Sequence, residues 1–305
     1  MSYITTRDEQ QIFLRDIGPQ SSSTKTPIIM LHGFGMHSAH WLPFTLPLSR
    51  KQRFIMPDFR GFGQSHLISH NRDCVISNYA DDLADIIEAL NLKQFKLAGI
   101  SMGAFVALQY QSIYGESGVD RYLHIDQSPR CINKDDWSWG LFGAENQSRL
   151  KSASNLIKQL QPFIDNKSQY FQLPEALRMT LWKELGEFFC SALSRPSHKF
   201  IARKICQNEN LIHKLMPVEN WQVYIHCLRA YIEQDYNMLP TLEKMQTPIS
   251  LLVGLRSEMY PCGGQLRIAD YNPHCEVVPF TKSGHTPLID QPIRFLQELK
   301  RFSVA

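Results

Sequence analysis

Short apolar runs alternate with amphipathic stretches along most of the chain. Apolar runs bounded by turn residues are typical of strands that are buried on both faces of a sheet. The runs are residues 27–31, 54–56, 95–98, 121–125, 249–254 and 276–280. Residues 79–90 instead place apolar side chains three and four positions apart, with aspartates on the opposite face, and residues 293–302 are also amphipathic; both stretches predict helices. Residues 11–17 alternate apolar and polar side chains, which predicts an edge strand.

This order of strands and helices predicts an α/β fold with a doubly wound, mostly parallel sheet. In such sheets, binding and catalytic sites form beyond the carboxyl ends of the strands. Residues 131–221 break the order, because they lack a strong strand pattern and contain helix-like pieces at 175–193 and 198–205. We therefore expect a helical cap at 131–221, inserted between a first core part at 1–130 and a second at 222–305.

Composition and charge narrow the function classes. The 305 residues are 43% hydrophobic, as in a globular protein, and the formal net charge of +3 comes with scattered basic residues. Charge therefore implies neither a nucleic-acid partner nor an anionic membrane. We find neither a signal-peptide pattern nor an apolar stretch long enough to span a bilayer, and expect a cytoplasmic protein. The seven cysteines form no C-x-x-C pair, so reduced thiols are expected.

The pentapeptide Gly99-Ile100-Ser101-Met102-Gly103 lies between a predicted strand and a helix-like run. Glycine on both sides of Ser101 fits a sharp, strained turn, because a side chain at either flank would collide with the neighbouring strand or helix. Such a turn lifts the Ser101 hydroxyl clear of the sheet. A serine that only caps the helix is the alternative, but that role would not explain the companion motifs elsewhere in the chain.

Those companion motifs make the chain resemble the α/β-hydrolase family over nearly its whole length, in particular the branch of serine esterases and cofactor-free haloperoxidases. The motifs are His32-Gly33-Phe34-Gly35, Arg60-Gly61-Phe62-Gly63-Gln64-Ser65 and Ser283-Gly284-His285. The resemblance implies that Ser101 is the nucleophile and His285 the general base. It also implies that the backbone amides of Phe34 and Met102 form the oxyanion hole.

The acid of the triad has two candidates. Most members of the family carry it three residues after a glycine that ends a late strand, but here Ser257 lies at that position and Glu258 follows one residue later. The family's other acid position, at the end of the strand after the nucleophile helix, is occupied by Asp126. We favour Asp126, because that position adjoins the expected site, and keep Glu258 as the alternative. Either carboxylate would fix the tautomer of the histidine.

A serine nucleophile predicts hydrolysis of a small to medium carboxylic ester, thioester or lactone through an acyl-enzyme, with a small-molecule substrate and no cofactor. Carbon–carbon bond hydrolysis and perhydrolysis use the same triad and stay open, as does a non-catalytic protein that binds a small ligand. An esterase acting at a lipid surface is not favoured, because the sequence shows no basic amphipathic face.

The substrate pocket has four candidate residues. Phe34 and Met102 follow from the mechanism, and Trp137 and Trp139 lie shortly after Asp126 in the sequence. A pair of histidines in the loop after the His32 motif, residues 37 and 40, could line the same pocket. Their H-x-x-H spacing comes without an H-E-x-x-H motif or a cysteine partner, so no metal is expected.

Overall fold

The computed structural model describes residues 2–20, 25–69 and 74–305, apart from the side chains of residues 214 and 215. The strands are β1 (Ser2–Thr5), β2 (Gln11–Ile17), β3 (Ile28–Leu31), β4 (Phe54–Pro57), β5 (Phe95–Ile100), β6 (Val119–Ile125), β7 (Ile249–Gly254) and β8 (Cys275–Phe280). Within the described residues they form one eight-stranded sheet, in the order β1-β2-β4-β3-β5-β6-β7-β8. Strands β3 to β8 run parallel, and β2 pairs antiparallel with both of its neighbours. The predicted doubly wound, mostly parallel sheet is confirmed.

Helices cover both faces of this sheet. They include α1 (Leu42–Thr45), α2 (Val75–Ala89), α3 (Met102–Tyr114), α10 (Cys262–Tyr271), α11 (Pro287–Asp290) and α12 (Pro292–Val304). Alternate residues of a strand enter two apolar clusters: Ile29 and Leu31 pack with α2 and α3, whereas Ile28 and Met30 pack with α1 and α12. This alternation explains why the strands read as continuous apolar runs. No helix in the described parts of the chain is long and apolar enough to cross a membrane.

A second group of helices lies between β6 and β7 in the sequence. These are α4 (Gln147–Asp165), α5 (Glu175–Ala192), α6 (Pro196–Cys206), α7 (Glu209–Leu215), α8 (Gln222–Glu233) and α9 (Leu239–Lys244). The helical character expected within residues 131–221 begins at α4, after a run of turns. The cap boundaries at residues 131 and 221 stay a prediction.

One strand lies elsewhere in the sheet than the pattern indicates. The predicted edge strand at residues 11–17 is β2, but β1 pairs with it on the outside, in a register that joins Ser2 to Leu14. Strand β1 has only four residues, and they are mostly exposed. So short a strand buries too little to leave a hydrophobic pattern.

Candidate active site

Ser101 lies at the sharp turn between β5 and α3. Its φ of 51° and ψ of −120° put it in a region that residues other than glycine rarely adopt. A Cβ atom on Gly99 would lie 2.4 Å from the carbonyl oxygen of Gly103, and one on Gly103 would lie 2.2 Å from that of Leu31. Both flanks of the serine therefore need glycine, because backbone approaches them too closely for any side chain.

The two expected oxyanion donors flank this serine. Met102 is the first residue of α3, so its amide has no acceptor within the helix. Phe34 follows Gly33, whose Cβ, if it had one, would lie 3.4 Å from the Cβ of Ser101. The loop after β3 therefore passes directly beside the serine, as an oxyanion hole requires.

His32 holds that loop in place. Its Nε2 accepts a hydrogen bond from the amide of Phe59 at 3.0 Å, and its Nδ1 lies 2.8 Å from the carbonyl oxygen of Gly33. A ring that accepts at one nitrogen and donates at the other is a neutral imidazole. Burial lowers the pKa of His32 to about 4, so the ring stays neutral at pH 7 and braces the loop.

His285 follows β8 and reaches back to the end of β6. Its Nδ1 lies 2.7 Å from Oδ2 of Asp126, and both side chains are buried. Asp126 also accepts hydrogen bonds from the amide of Gly254 at 2.7 Å and from the hydroxyl of Ser257 at 2.9 Å. Within the described residues Nε2 of His285 has no hydrogen-bond partner. The ring is thus oriented at one nitrogen and free at the other.

Glu258, the alternative acid, lies apart from this pair. Its carboxylate contacts Nζ of Lys199 in α6 at 2.6 Å, and half of its side chain is exposed. Ser257, at the position where most members of the family carry the acid, turns its hydroxyl toward Asp126 instead. The structure therefore brings Asp126 to His285 and leaves Glu258 at the surface.

The loop that carries His285 is tied on both sides, by residues that the sequence did not suggest. Asp290 accepts hydrogen bonds from the amide of Gly284 at 2.8 Å and from the hydroxyl of Ser283 at 3.3 Å. Oγ1 of Thr286 donates to the carbonyl oxygen of Ala192, at the end of α5, at 3.0 Å. These hydrogen bonds fix the loop that carries His285 against α11, which contains Asp290, and against α5.

Ser101 and His285 line the same cavity, which has a volume of about 620 Å³, within the usual range of small-molecule sites. Residues of α5, α6 and α7, with the nearby Met216, form one apolar wall. They are Trp182, Phe188, Phe189, Ala192, Ala202, Ile205, Cys206, Ile212 and Met216. The loop after β3, α1 and α11 form much of the opposite wall. None of the described lining residues is Asp, Glu, Lys or Arg, so the cavity suits an uncharged ligand.

Three residues expected at the pocket lie outside its wall. Trp137 and Trp139 are not among the described residues that line the cavity; they pack against each other, with ring centroids 5.2 Å apart. The side chain of Met102 is completely buried in the core. Closeness in sequence to Asp126 did not become closeness to the cavity, because Trp139 packs against α10, where a Cβ on Gly264 would lie 2.4 Å from the Cβ of Trp139.

The aromatic wall of the cavity comes from α5 instead. Phe34, which does line the cavity, stacks on Phe189 with ring centroids 5.6 Å apart and meets the edge of Phe188 at 5.5 Å. Nothing in the sequence separates these two phenylalanines from other aromatic residues of the insertion. Their role depends on how α5 packs over the loop after β3.

Comparison with known proteins places these features in a family. The family model described as alpha/beta hydrolase fold matches residues 26–182. AB hydrolase superfamily protein YisY of Bacillus subtilis is 23% identical, over 99% of this chain and 98% of that protein. Pimeloyl-(acyl-carrier protein) methyl ester esterase of Nitrosomonas europaea is 21% identical, over 88% and 92%. The solved structure of an esterase from Exiguobacterium antarcticum aligns with a TM-score of 0.74 at 20% identity, over 100% and 99% of the two chains. The chain belongs to the α/β-hydrolase fold family.

Proposed function

We propose that this protein is a serine hydrolase that cleaves an uncharged carboxylic ester of small to medium size through an acyl-enzyme. One observation carries the proposal: Ser101 and His285 open on a single cavity, and Asp126 holds the far nitrogen of that histidine at 2.7 Å. Two of the similar proteins, an esterase of known structure and a methyl ester esterase, support the same reaction class.

In the proposed mechanism His285 is the general base. A serine hydroxyl is a weak nucleophile, so Nε2 of His285 takes the proton of Ser101 as the oxygen attacks the ester carbonyl. The same nitrogen then returns the proton to the departing alcohol. Water then attacks the acyl-enzyme with the same proton transfers through His285, which releases the carboxylic acid product and restores Ser101. Nε2 has no hydrogen-bond partner among the described residues, so none of those residues competes for this proton.

Asp126 is the proposed acid. A proton on Nδ1 donated to Oδ2 leaves Nε2 unprotonated, which is the tautomer that the base needs. The amide of Gly254 and the hydroxyl of Ser257 hold the two carboxylate oxygens, so the carboxylate cannot rotate away from the ring. The buried negative charge then stabilises the imidazolium that forms during attack.

The amides of Phe34 and Met102 are the proposed oxyanion donors. Each such donor stabilises the tetrahedral intermediate by about 2.7–4 kcal/mol. The amide of Met102 also begins helix α3, where the helix dipole favours negative charge. Their contribution belongs to the backbone, which fits the finding that the Met102 side chain is buried away from the cavity.

The absence of charged side chains in the described lining favours a neutral ester over an ester that carries a free carboxylate or a phosphate group.

A panel of esters with one chromogenic alcohol and acyl chains of increasing length tests the reaction. We expect a pre-steady-state burst of alcohol close to the enzyme concentration, followed by slower turnover.

The matched variants are Ser101→Ala and Ser112→Ala, the second being an exposed serine on the same helix α3. The burst should disappear in the first and persist in the second. A folded parent protein that binds these esters without releasing alcohol would instead indicate a ligand-binding protein.

A further inference from the structure

His37 and His40 line the cavity beside Ser101, and the proposed ester hydrolysis gives them no role. They lie at the short 3-10 turn Ser38–Trp41, which follows the loop that carries Phe34. Their ring centroids are 4.2 Å apart. His37 is half-buried and His40 is exposed, so the pair lies where the cavity meets solvent.

The backbone of the turn engages one ring nitrogen of His40. The amide of His40 itself donates to the carbonyl oxygen of His37 at 3.0 Å. Nδ1 of His40 lies 3.1 Å from both the amide nitrogen and the carbonyl oxygen of His37, so the turn holds this nitrogen in either tautomer. A neutral imidazole carries one N–H group and one unprotonated ring nitrogen. His37 therefore has an N–H group to offer, and His40 presents Nε2.

The turn is rigidly placed. The amide of Ser38 donates to Oδ1 of the buried Asp58 at 2.6 Å, and the amide of Gln64 donates to Oδ2 at 2.8 Å. A Cβ on Gly63 would lie 2.8 Å from the Cβ of His37, so this histidine packs directly on the neighbouring loop. Two imidazoles held in this way form a preformed polar edge on a cavity that is otherwise mostly apolar.

The electrostatics favour a neutral ring at His37. Burial, and then the neighbouring His40, lower the pKa of His37. Asp58 and Arg15 act on the same ring in opposite directions. No group of three or more possible metal ligands occurs among the described residues, so the pair lacks the further side chain that a protein metal centre normally uses. Neutral imidazoles at the edge of a cavity can donate and accept hydrogen bonds.

The cavity is therefore asymmetric. The wall formed by α5, α6 and α7 is apolar, whereas the wall next to α1 carries the two imidazoles. We propose that His37 and His40 bind a neutral hydrogen-bond acceptor on the substrate, an ether, carbonyl or hydroxyl oxygen, while the apolar part of the ester lies against the cap helices. This inference rests on the proposed ester hydrolysis and narrows its substrate to esters that carry one such oxygen.

Asparagine and glutamine variants separate the two ends of each ring. The amide group of asparagine lies near the place of Nδ1, where at position 40 it can keep the bond to the turn. The amide group of glutamine reaches the place of Nε2. His37→Asn and His40→Asn therefore remove the group offered to the substrate, and His37→Gln and His40→Gln retain a polar group there. Unchanged melting temperatures would show that the turn is intact in all four variants.

The substrates are isosteric pairs in which one methylene of a neutral ester is replaced by oxygen, at each position in turn. For each pair, the ratio of kcat/KM for the ether to that for the alkyl ester is measured. We expect this ratio to be highest at one position in the parent protein. It should fall there by about 2- to 10-fold in the asparagine variants, the range of one neutral hydrogen bond, and stay near the parent value in at least one glutamine variant.

Two results would overturn the inference. One is a ratio that does not differ between the parent and the asparagine variants at any position. The other is an equal loss for ether and alkyl esters in the asparagine and glutamine variants, which would indicate a structural role. Labelling of Ser101 by a fluorophosphonate separates this failure from failure of the proposed function, since the reagent tests the nucleophile without the polar group of the substrate.

Discussion

Replacing Asp126 by asparagine keeps the shape of the side chain that contacts His285 but replaces one carboxylate oxygen by an NH₂ group. The carboxylate accepts from the amide of Gly254 at 2.7 Å, from the hydroxyl of Ser257 at 2.9 Å and from Nδ1 of His285 at 2.7 Å. Asparagine has one oxygen, and the Gly254 amide requires it because a backbone N–H cannot turn away. The NH₂ group then faces Ser257, whose hydroxyl can rotate, and His285, which must accept at Nδ1. The ring proton moves to Nε2, the atom that has to take the proton of Ser101.

The size of the effect follows from this change of tautomer. In the Ser-His-Asp template the same substitution lowers kcat by about 10⁴-fold, or about 5.5 kcal/mol at 1.36 kcal/mol per decade. Ser257→Ala removes only one hydrogen bond to a charged acceptor, worth about 1.5–3 kcal/mol, so we expect a loss of about 10- to 100-fold. Glu258→Gln breaks an exposed ion pair worth about 0–1 kcal/mol and should leave kcat nearly unchanged.

The assay is kcat and kcat/KM for one ester with the parent and the Asp126→Asn, Ser257→Ala and Glu258→Gln variants, with thermal melting as the check on folding. The expected order of loss is Asp126→Asn, then Ser257→Ala, then Glu258→Gln. A folded Asp126→Asn variant whose kcat is within tenfold of the parent would show that Asp126 does not set the tautomer of His285. So would a Glu258→Gln loss as large as that of Asp126→Asn, since it would make Glu258 the acid.

Three further predictions concern the turn at Ser101, the ion pair of Asp8 with Arg60 and the buried thiol of Cys131. Gly103→Ala would put a Cβ 2.2 Å from the backbone oxygen of Leu31; we expect a loss of about 1–3 kcal/mol in a urea melt together with reduced kcat/KM, and an unchanged variant would show that the elbow tolerates a side chain. The hydrogen bond from Arg60 lowers the pKa of Asp8 to about 2, below its usual value of about 3.9. The stability from this contact is therefore complete above about pH 4 and is lost as the pH falls toward 2, so the stability difference between the parent and Asp8→Asn should shrink over that range; a constant difference would contradict the assignment. Burial raises the pKa of Cys131 to about 12, so peptide mapping after iodoacetamide at pH 8 should find this thiol unmodified in the native protein and modified after denaturation.

The sheet could be predicted because burial on both faces leaves a strong pattern. Each of the apolar runs between residues 27 and 280 became a strand of the sheet. The turn at Ser101 was equally readable, since its glycines are required by backbone contacts as close as 2.2 Å. The strands and the turn at Ser101 depend on residues that are close together in the chain, so the sequence predicts them.

The acid and the pocket depend on contacts between distant segments. Asp126 and His285 are 159 positions apart. The position of Asp126 after a predicted strand favours it as the acid, but the sequence alone leaves Glu258 as an alternative. The role of Ser257 becomes clear only from the structure, in which its hydroxyl donates a hydrogen bond to Asp126. The same holds for Phe189, which reaches the cavity because α5 packs over Phe34.

The most direct test of the account is the intact mass of the protein after reaction with a fluorophosphonate, for the parent and for Ser101→Ala. The reagent needs an assembled nucleophile and base but no knowledge of the natural substrate. If Ser101 is the nucleophile, the parent acquires one adduct and the variant none, and the modified peptide contains Ser101. A folded parent without an adduct, or an adduct of equal extent on the variant, would contradict a serine hydrolase acting through Ser101.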